Sequence, residues 1–259
     1  MTTLELTRSD LERHYARDRG LDPSRDWDAT TQSDCDAVIT QALNWVYYPQ
    51  VLEGEGSVHQ WSFLKPIARI TTVANQGDYD LPSDFGSIDG NITYDRDEVF
   101  GSFDIRITSE QRIRSLRQAE DSTLQAVGYP ELAAITPLPS DGAEPQRFSL
   151  LLWPLPQSAF TLTFAYQSNP LLITGDNPYP LGGQPLADLF RAAVLAAAES
   201  YFDGNRGTRY DEFLTRLRQA IHYDRKARGP HFLGVMSDGR GETFNNRFVP
   251  YVTFGGVRY

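Results

Sequence analysis

Residues 61–86 read WSFLKPIARITTVANQGDYDLPSDFG, and this stretch carries the clearest information about how the chain folds. The β-branched residues 70–74 predict a strand, residues 75–77 a turn, and residues 79–81 a return strand that Pro82 closes. We therefore expect a β-hairpin followed by a sharp loop. The stretch contains no recognisable catalytic nucleophile, set of metal ligands or phosphate-binding loop. Such a stretch is more typical of a structural protein than of an enzyme.

The chain from residue 61 to about Pro170 is predicted to consist mainly of strands separated by proline and glycine. One helix interrupts it over residues 109–120, capped through Thr108 and Gln111. In residues 160–166 every second side chain is large and apolar, which places Phe160, Leu162, Phe164 and Tyr166 on one sheet face. The opposite face can meet water or a neighbouring subunit.

Two helices are predicted before this β region. Thr7 and Ser9 begin the first, with Ser9 and Glu12 as its capping box and Gly20 as its stop. The second is capped by Ser33 and ends at residues 48–49. Its apolar residues recur at helical spacing, and they are Val38, Ile39, Ala42, Leu43, Val46 and Tyr47.

Two more helices are predicted after the β region. The first covers residues 186–203, with an apolar stripe of Leu186, Leu189, Phe190, Ala193, Val194, Ala197 and Tyr201. Its many alanines allow another helix to approach closely. The last helix is capped by Thr208, ends at residues 226–230, and has Phe213, Leu214, Leu217, Ala220 and Ile221 on its inner face.

The predicted fold class is α+β. A helical bundle built from both chain ends is interrupted by an antiparallel β domain and followed by an extended C-terminal tail. The predicted boundaries are residues 1–60 for the N-terminal helices, 61–173 for the β-rich insertion, 174–229 for the C-terminal helices and 230–259 for the tail.

The net charge of -10 is unevenly distributed along the 259 residues. Residues 1–203 hold 14 basic and 29 acidic residues, or -15, whereas residues 204–259 hold 10 basic and 5 acidic residues, or +5. An acidic body argues against tight binding of nucleic acid, because phosphates require clustered cations. The basic C-terminal part fits either solvation and helix-dipole compensation or a docking surface for an acidic partner.

The beginning of the chain has neither the basic start nor the apolar core of a signal peptide, and no apolar run approaches the length of a membrane span. We therefore expect the protein to stay in the cytoplasm where it is made and to have no membrane partner. Its single cysteine, Cys35, excludes an internal disulfide and is expected to be a small buried apolar residue.

No catalytic, cofactor-binding or metal-binding residues are predicted. The four histidines, His14, His59, His222 and His231, show no spacing typical of metal ligands. Asp34 and Asp36 are explained by their place near a helix start. The aspartates of residues 78–89 lack the spacing of a calcium loop and are better explained by turn chemistry. We expect no enzymatic activity and no cofactor.

Three passages together resemble a known family. Residues 61–86, the run LLLWPLP at residues 150–156 and the alternating strand 160–166 occur between two pairs of helices, in one order over residues 34–229. In this respect the chain resembles the head-to-tail connector (adaptor) proteins of tailed bacteriophages. Its β insertion is longer than that of the minimal all-helical connectors, which leaves open the surface that meets the tail.

The resemblance implies a structural adaptor in the phage neck. Such proteins form a dodecameric ring of identical subunits beneath the portal protein, extend the DNA channel, and present a surface to a downstream stopper, tail terminator or tail tube protein. A ring requires two complementary faces on each subunit, and the sheet region and the alanine-rich helix 186–203 are suitable suppliers of them. DNA would pass through without specific binding. The implied location is the neck of the virion, after assembly in the host cytoplasm.

The segment 230–259 is predicted to be an extended, flexible arm that becomes ordered against the portal or an adjacent subunit on assembly. It contains aromatic and arginine residues without helical spacing. The predicted contact residues are Phe232, Phe244, Arg247, Phe248, Tyr251, Phe254, Arg258 and Tyr259. The alternative is that these aromatics fold back onto the chain's own core.

Two other functions are compatible with the sequence. One is a neighbouring neck protein, namely a stopper or tail-completion protein. The other is a glycan-binding or hydrolytic tail accessory, which would require a pair of carboxylates inside an aromatic cleft.

Overall fold

The computed structural model of the chain describes residues 5–24, 26–52, 56–95, 104–119, 126–140, 142, 145–228, 253–254 and 257–258. The chain divides into two units, Met1–Asp224 and Arg225–Tyr259. Within the described residues it forms five α-helices and eleven strands. The predicted α+β class is therefore confirmed.

The helices are α1 (Arg8–Arg19), α2 (Ala29–Tyr47), α3 (Glu110–Ala119), α4 (Ala187–Asp203) and α5 (Thr208–Arg228). The strands are β1 (Ile67–Thr71), β2 (Asp78–Asp80), β3 (Phe85–Tyr94), β4 (Asp104–Ile107), β5 (Val127–Gly128), β6 (Leu132–Pro137), β7 (Phe148–Trp153), β8 (Leu155–Pro156), β9 (Thr161–Ser168), β10 (Thr253–Phe254) and β11 (Val257–Arg258).

The cap of α1 differs from the prediction. Thr7, not Ser9, is the N-cap, and its hydroxyl accepts from the Asp10 backbone N–H while the Asp10 carboxylate accepts from the Thr7 N–H. The predicted partner Glu12 instead accepts from the guanidinium of Arg8 at 2.8 Å. The predicted stop is confirmed, because Gly20 adopts the left-handed conformation at φ 68°.

The second helix begins earlier than predicted. Asp28 is the N-cap of α2, and its carboxylate accepts from the Thr31 backbone N–H at 3.0 Å, so Ser33 lies inside the helix. The apolar face predicted for this helix is confirmed, since Val38, Ile39, Ala42, Leu43, Val46 and Tyr47 are all buried.

Seven strands form one sheet in the order β1-β9-β3-β4-β6-β7-β2. Among these described strands every pairing is antiparallel except that of β4 with β6. Because β1 and β2 lie at opposite ends of the order but are joined only by residues 72–77, the sheet curls back on itself.

The predicted hairpin of β1 and β2 is wrong. Each strand pairs elsewhere, β1 with β9 and β2 with β7. The turn itself is present, with Asn75 at φ 62° and the Gln76 N–H donating to the Val73 carbonyl. The turn does not join a hairpin because both flanking strands pair with longer apolar strands, β7 and β9, whose buried faces form the sheet's own core.

The helix α3 packs against β6 and β7 of the sheet. Its cap is Ser109, whose hydroxyl accepts from the Arg112 N–H at 3.4 Å. The predicted cap Thr108 still belongs to the sheet, because its N–H donates to the Ala133 carbonyl. From α3, Arg117 donates to the carbonyl of Gly77, which directly precedes β2, and to the carbonyl of Leu152 in β7. These two bonds connect the helix to the β2 edge of the sheet.

Two hydrophobic clusters hold the first unit together. The helical core gathers side chains of α1, α2, α4 and α5 together with Trp61 and Leu64. The sheet core gathers Phe85, Ile92, Ile105, Leu150, Leu152, Leu162 and their neighbours. The alternation predicted for residues 160–166 is confirmed, because Phe160, Leu162, Phe164 and Tyr166 all lie in the sheet core.

The alanine-rich helix α4 is at the centre of the helical core. Ala193, Ala196, Ala197 and Ala198 are at most 1% exposed and Ala192 is 8% exposed. The suggestion that the alanine face of this helix contacts a neighbouring subunit is therefore wrong, because these small residues are covered by the chain's own helices. Tyr201 departs from the predicted stripe, since it is 46% exposed and its hydroxyl donates to Asp34.

Cys35 is fully buried in the helical core, as predicted. Burial disfavours the thiolate and raises the pKa of the thiol to about 12. At pH 8 we expect the native protein to react with a disulfide reagent about a thousandfold more slowly than the denatured chain does, because the thiolate is the reactive form. The reaction rate in buffer and in guanidinium chloride measures this, and rapid native labelling would contradict it.

Candidate functional site

The passage around Trp61 connects the helices to the sheet. Trp61 is fully buried, and its indole N–H donates to the Val46 carbonyl at 2.6 Å. Its ring lies 5.4 Å from that of Phe63 and 4.7 Å from that of His59. On the sheet side, the hydroxyl of Ser168 donates to the Leu64 carbonyl. Thus the beginning of the 61–86 stretch is a structural joint, by which we mean that residues 61–64 connect α2 to the sheet.

A buried carboxylate fixes this joint to α5. Asp224 accepts from the Ser62 backbone N–H at 3.1 Å, from the Ser62 hydroxyl, and from Nε2 of His59 at 3.0 Å. The side chains of His59 and Asp224 are only 9% and 8% exposed. Sequence reasoning missed this contact because 162 residues separate Ser62 from Asp224. One signal in the sequence could have indicated that Asp224 is buried. It lies seven residues after Leu217 and therefore on the apolar face of α5.

Serine, histidine and aspartate meet here without forming a catalytic triad. In a triad the serine hydroxyl donates to the histidine, which the aspartate orients from the other side. Here Ser62 and Nε2 of His59 both contact the carboxylate of Asp224. The arrangement can stabilise a chain crossing but cannot activate the serine as a nucleophile.

This contact can be tested by substitution. Asp224→Asn removes the charge that two side-chain groups and one backbone N–H share, so we expect it to lower the free energy of unfolding by about 1–3 kcal/mol. Asp211→Asn, at an exposed position in the first turn of the same helix, is the control and should change it by only a few tenths of a kcal/mol. Urea unfolding followed by circular dichroism measures both, and equal effects would show that the buried carboxylate contributes nothing.

The other aspartates considered for a metal site have separate partners. Asp78 pairs with Arg117 at 2.8 Å, Asp80 with Arg147 at 3.1 Å and Asp89 with Lys65 at 2.8 Å. Asp84 accepts from the hydroxyl of Tyr166. Asp34 accepts from Tyr201 and Asp36 from Arg8. Across the described part of the chain, no three histidine, cysteine or acidic residues are grouped so that they could hold a metal ion.

Exposed apolar side chains occur in two segments that hydrogen bonds hold side by side. The Tyr48 hydroxyl bonds Asn169 at 3.3 Å, and the Leu181 N–H donates to the Tyr47 hydroxyl at 2.9 Å. The exposed residues are Tyr48, Val51, Leu171, Leu172, Tyr179 and Leu181, from 43% to 67% exposed. We call these residues the apolar segments. They are a candidate contact surface, because exposed apolar area is what a protein partner covers.

Most of the residues predicted to contact the portal lie in a part of the chain that the structure does not describe. Phe232, Phe244, Arg247, Phe248, Tyr251 and Tyr259 lie outside the described residues. Phe254 and Arg258 belong to the two-stranded antiparallel pair of β10 and β11 in the second unit. None of the helices in the described ranges is both long and apolar enough to cross a membrane.

The model of the family described as SU10 adaptor protein matches residues 1–233 of the chain. No curated protein matches it. The matched range includes all five helices and the whole seven-stranded sheet.

Proposed function

The chain belongs to the SU10 adaptor protein family, a family of phage head-tail adaptors, and from this we propose that it joins the portal to the next component of a tailed-phage neck. The observation that carries the proposal is the match over residues 1–233, which covers the whole first unit. Membership makes the protein a structural component of the virion. The downstream partner in the proposal is a stopper, a tail terminator or a tail tube protein.

The proposed assembly is a dodecameric ring of identical subunits that extends the DNA channel. A closed ring requires two different faces on each subunit that fit each other. The apolar segments are one such face, because covering them removes apolar side chains from water. The excess of acidic residues in residues 1–203 supports a channel wall along which DNA slides without sticking.

Within the subunit, the proposal assigns separate roles to the parts of the chain. In the proposal the helices α1, α2, α4 and α5 form one bundle, and the hydrophobic cluster that their side chains share supports it. The sheet is inserted between them, and the segment 230–259 reaches the portal. The proposed role is structural throughout, with no catalysis and no cofactor.

Electron microscopy tests the proposed function. Purified protein is mixed with portal, stained and averaged, with portal alone and protein alone as controls. We expect averages in which an additional ring lies coaxially on one end of the portal. A protein that leaves portal unchanged, but binds a portal already carrying another adaptor, would instead be a stopper or a tail-completion protein. No binding to either assembly would reject the proposed function.

The isolated protein is expected to bind duplex DNA only weakly. Its net charge of -10 repels phosphates, because 34 acidic residues outweigh the 24 lysines and arginines. Fluorescence anisotropy of a labelled duplex at physiological salt measures this. A sub-micromolar affinity that falls steeply with salt would contradict an acidic channel wall.

A further inference from the structure

A groove between α1 and α4 collects basic side chains on a chain that is otherwise acidic. Asp10, Arg13, His14 and Arg17 follow one another at i, i+3, i+4 and i+7, so they lie on one face of α1. Arg191 of α4 lies opposite, and these five residues line an open pocket of about 350 Å³. We call this pocket the arginine groove.

The ion pairs of the arginine groove leave positive charge uncompensated. Arg13 pairs with Asp10 at 3.0 Å and Arg191 with Asp188 at 3.2 Å, both at exposed positions. Arg17 has no acidic partner within 4 Å among the described residues. The lining thus has three guanidinium groups against one carboxylate, while residues 1–203 as a whole carry more than two acidic residues for each basic one.

The pKa of His14 reflects its burial and the charges that surround it in the groove. Desolvation is the largest cause that lowers the pKa of its imidazole, and the next is the charge of Arg191. Arg17 and Arg209 lower the pKa further, and Asp18 acts in the opposite direction. A half-buried histidine facing several arginines disfavours a further proton, and an anion placed there would favour one.

We infer that the arginine groove receives one or more carboxylates from a second copy of this chain. Charge complementarity points to that partner, because residues 1–203 of each copy hold 29 acidic residues against 14 basic ones and so offer many carboxylates. A DNA strand fits less well, since phosphate binding needs an unbroken stripe of cations, and here Asp10, Asp18 and Asp188 interrupt it. The inference rests on the proposed ring, in which identical copies are neighbours.

Charge reversal tests the groove in the full-length protein. Sedimentation velocity at low salt is expected to show concentration-dependent self-association, and Arg17→Glu should weaken it about tenfold, because an attraction becomes a repulsion. The matched control is Arg114→Glu, which makes the same change of charge at a position of α3 that is 68% exposed. The control should associate like the parent, and thermal unfolding should show that both variants are folded.

The pKa of His14, measured by NMR, distinguishes a carboxylate bound in the groove from an uncharged surface that only covers it. On self-association a carboxylate in the groove should raise this pKa, whereas covering the groove with uncharged surface should lower it further. Binding of duplex DNA is the third measurement, and an Arg17→Glu variant that loses DNA binding but keeps its self-association would assign the groove to nucleic acid and overturn the inference.

Three results would therefore reject the inference: self-association unaffected by Arg17→Glu, a fall in the pKa of His14, or a parent protein that stays monomeric at every concentration. These outcomes are distinguishable from failure of the proposed function. If Arg17→Glu still adds a complete ring to the portal, the inference about the groove fails and the adaptor function stands.

Discussion

Replacing Ala193 by arginine is expected to lower the free energy of unfolding by about 3 kcal/mol or more, enough to unfold much of the protein at moderate temperature. Ala193 has no exposed surface and lies in the helical core with residues of α1, α2 and α5. An arginine there has no acidic partner and must either bury its charge or force the helices apart.

The matched control for this substitution is Ala37→Arg. Ala37 also lies inside a helix, α2, but its side chain is exposed, so the new arginine stays in water. Helix propensity is nearly the same in both cases, and any large difference between the two variants reports burial alone. Urea unfolding followed by circular dichroism measures both. Equal stability of the two variants would show that α4 faces solvent and that the helical core is wrongly assigned.

Deleting the residues after Pro230 is expected to abolish attachment to the portal while leaving the melting temperature almost unchanged. Among the residues that the structure describes, every member of the two hydrophobic cores lies at or before Ile221, so the deletion removes none of these side chains. The proposed contact residues lie after the deletion point, and pocketed aromatic side chains can each contribute roughly 2 kcal/mol or more to binding. Differential scanning calorimetry and co-sedimentation with portal measure the two effects.

A second variant separates aromatic anchoring from the length of the segment. It keeps all residues but replaces Phe244, Phe248, Tyr251 and Phe254 by serine, and we expect it to lose portal binding as the deletion does. If this variant still binds, the backbone of the segment is sufficient for docking. If the deleted protein unfolds or binds portal like the parent, the proposed portal contact of residues 230–259 is wrong.

Elements with strong apolar periodicity could be predicted from the sequence. The buried faces of α2 and α4 and the alternating side chains of β9 were visible because spacings of 3.6 and 2 residues reflect which side of an element leaves water. The first residues of the helices were harder to predict from the sequence. Thr7, Asp28 and Ser109 cap their helices, although nearby Ser9, Ser33 and Thr108 are also good capping residues.

Pairings between distant segments could not be predicted. The strands β1 and β2 flank a real turn, yet they pair with β9 and β7, because pairing with long buried strands stabilises them more than pairing with each other. The contact of Asp224 with Ser62 is equally invisible to local pattern, since only the fold brings α5 beside the 61–86 stretch.

The sequence by itself determined the α+β class, the identity of most core residues, the burial of Cys35 and the resemblance to phage adaptors, because composition and periodicity are local properties that burial imposes on each element. The tertiary structure decided the order of the strands, the burial of the α4 alanines inside the chain's own core, and the meeting of Arg17 with Arg191 in one groove. These depend on which elements pack together, and the energy that selects one packing comes from the whole core at once.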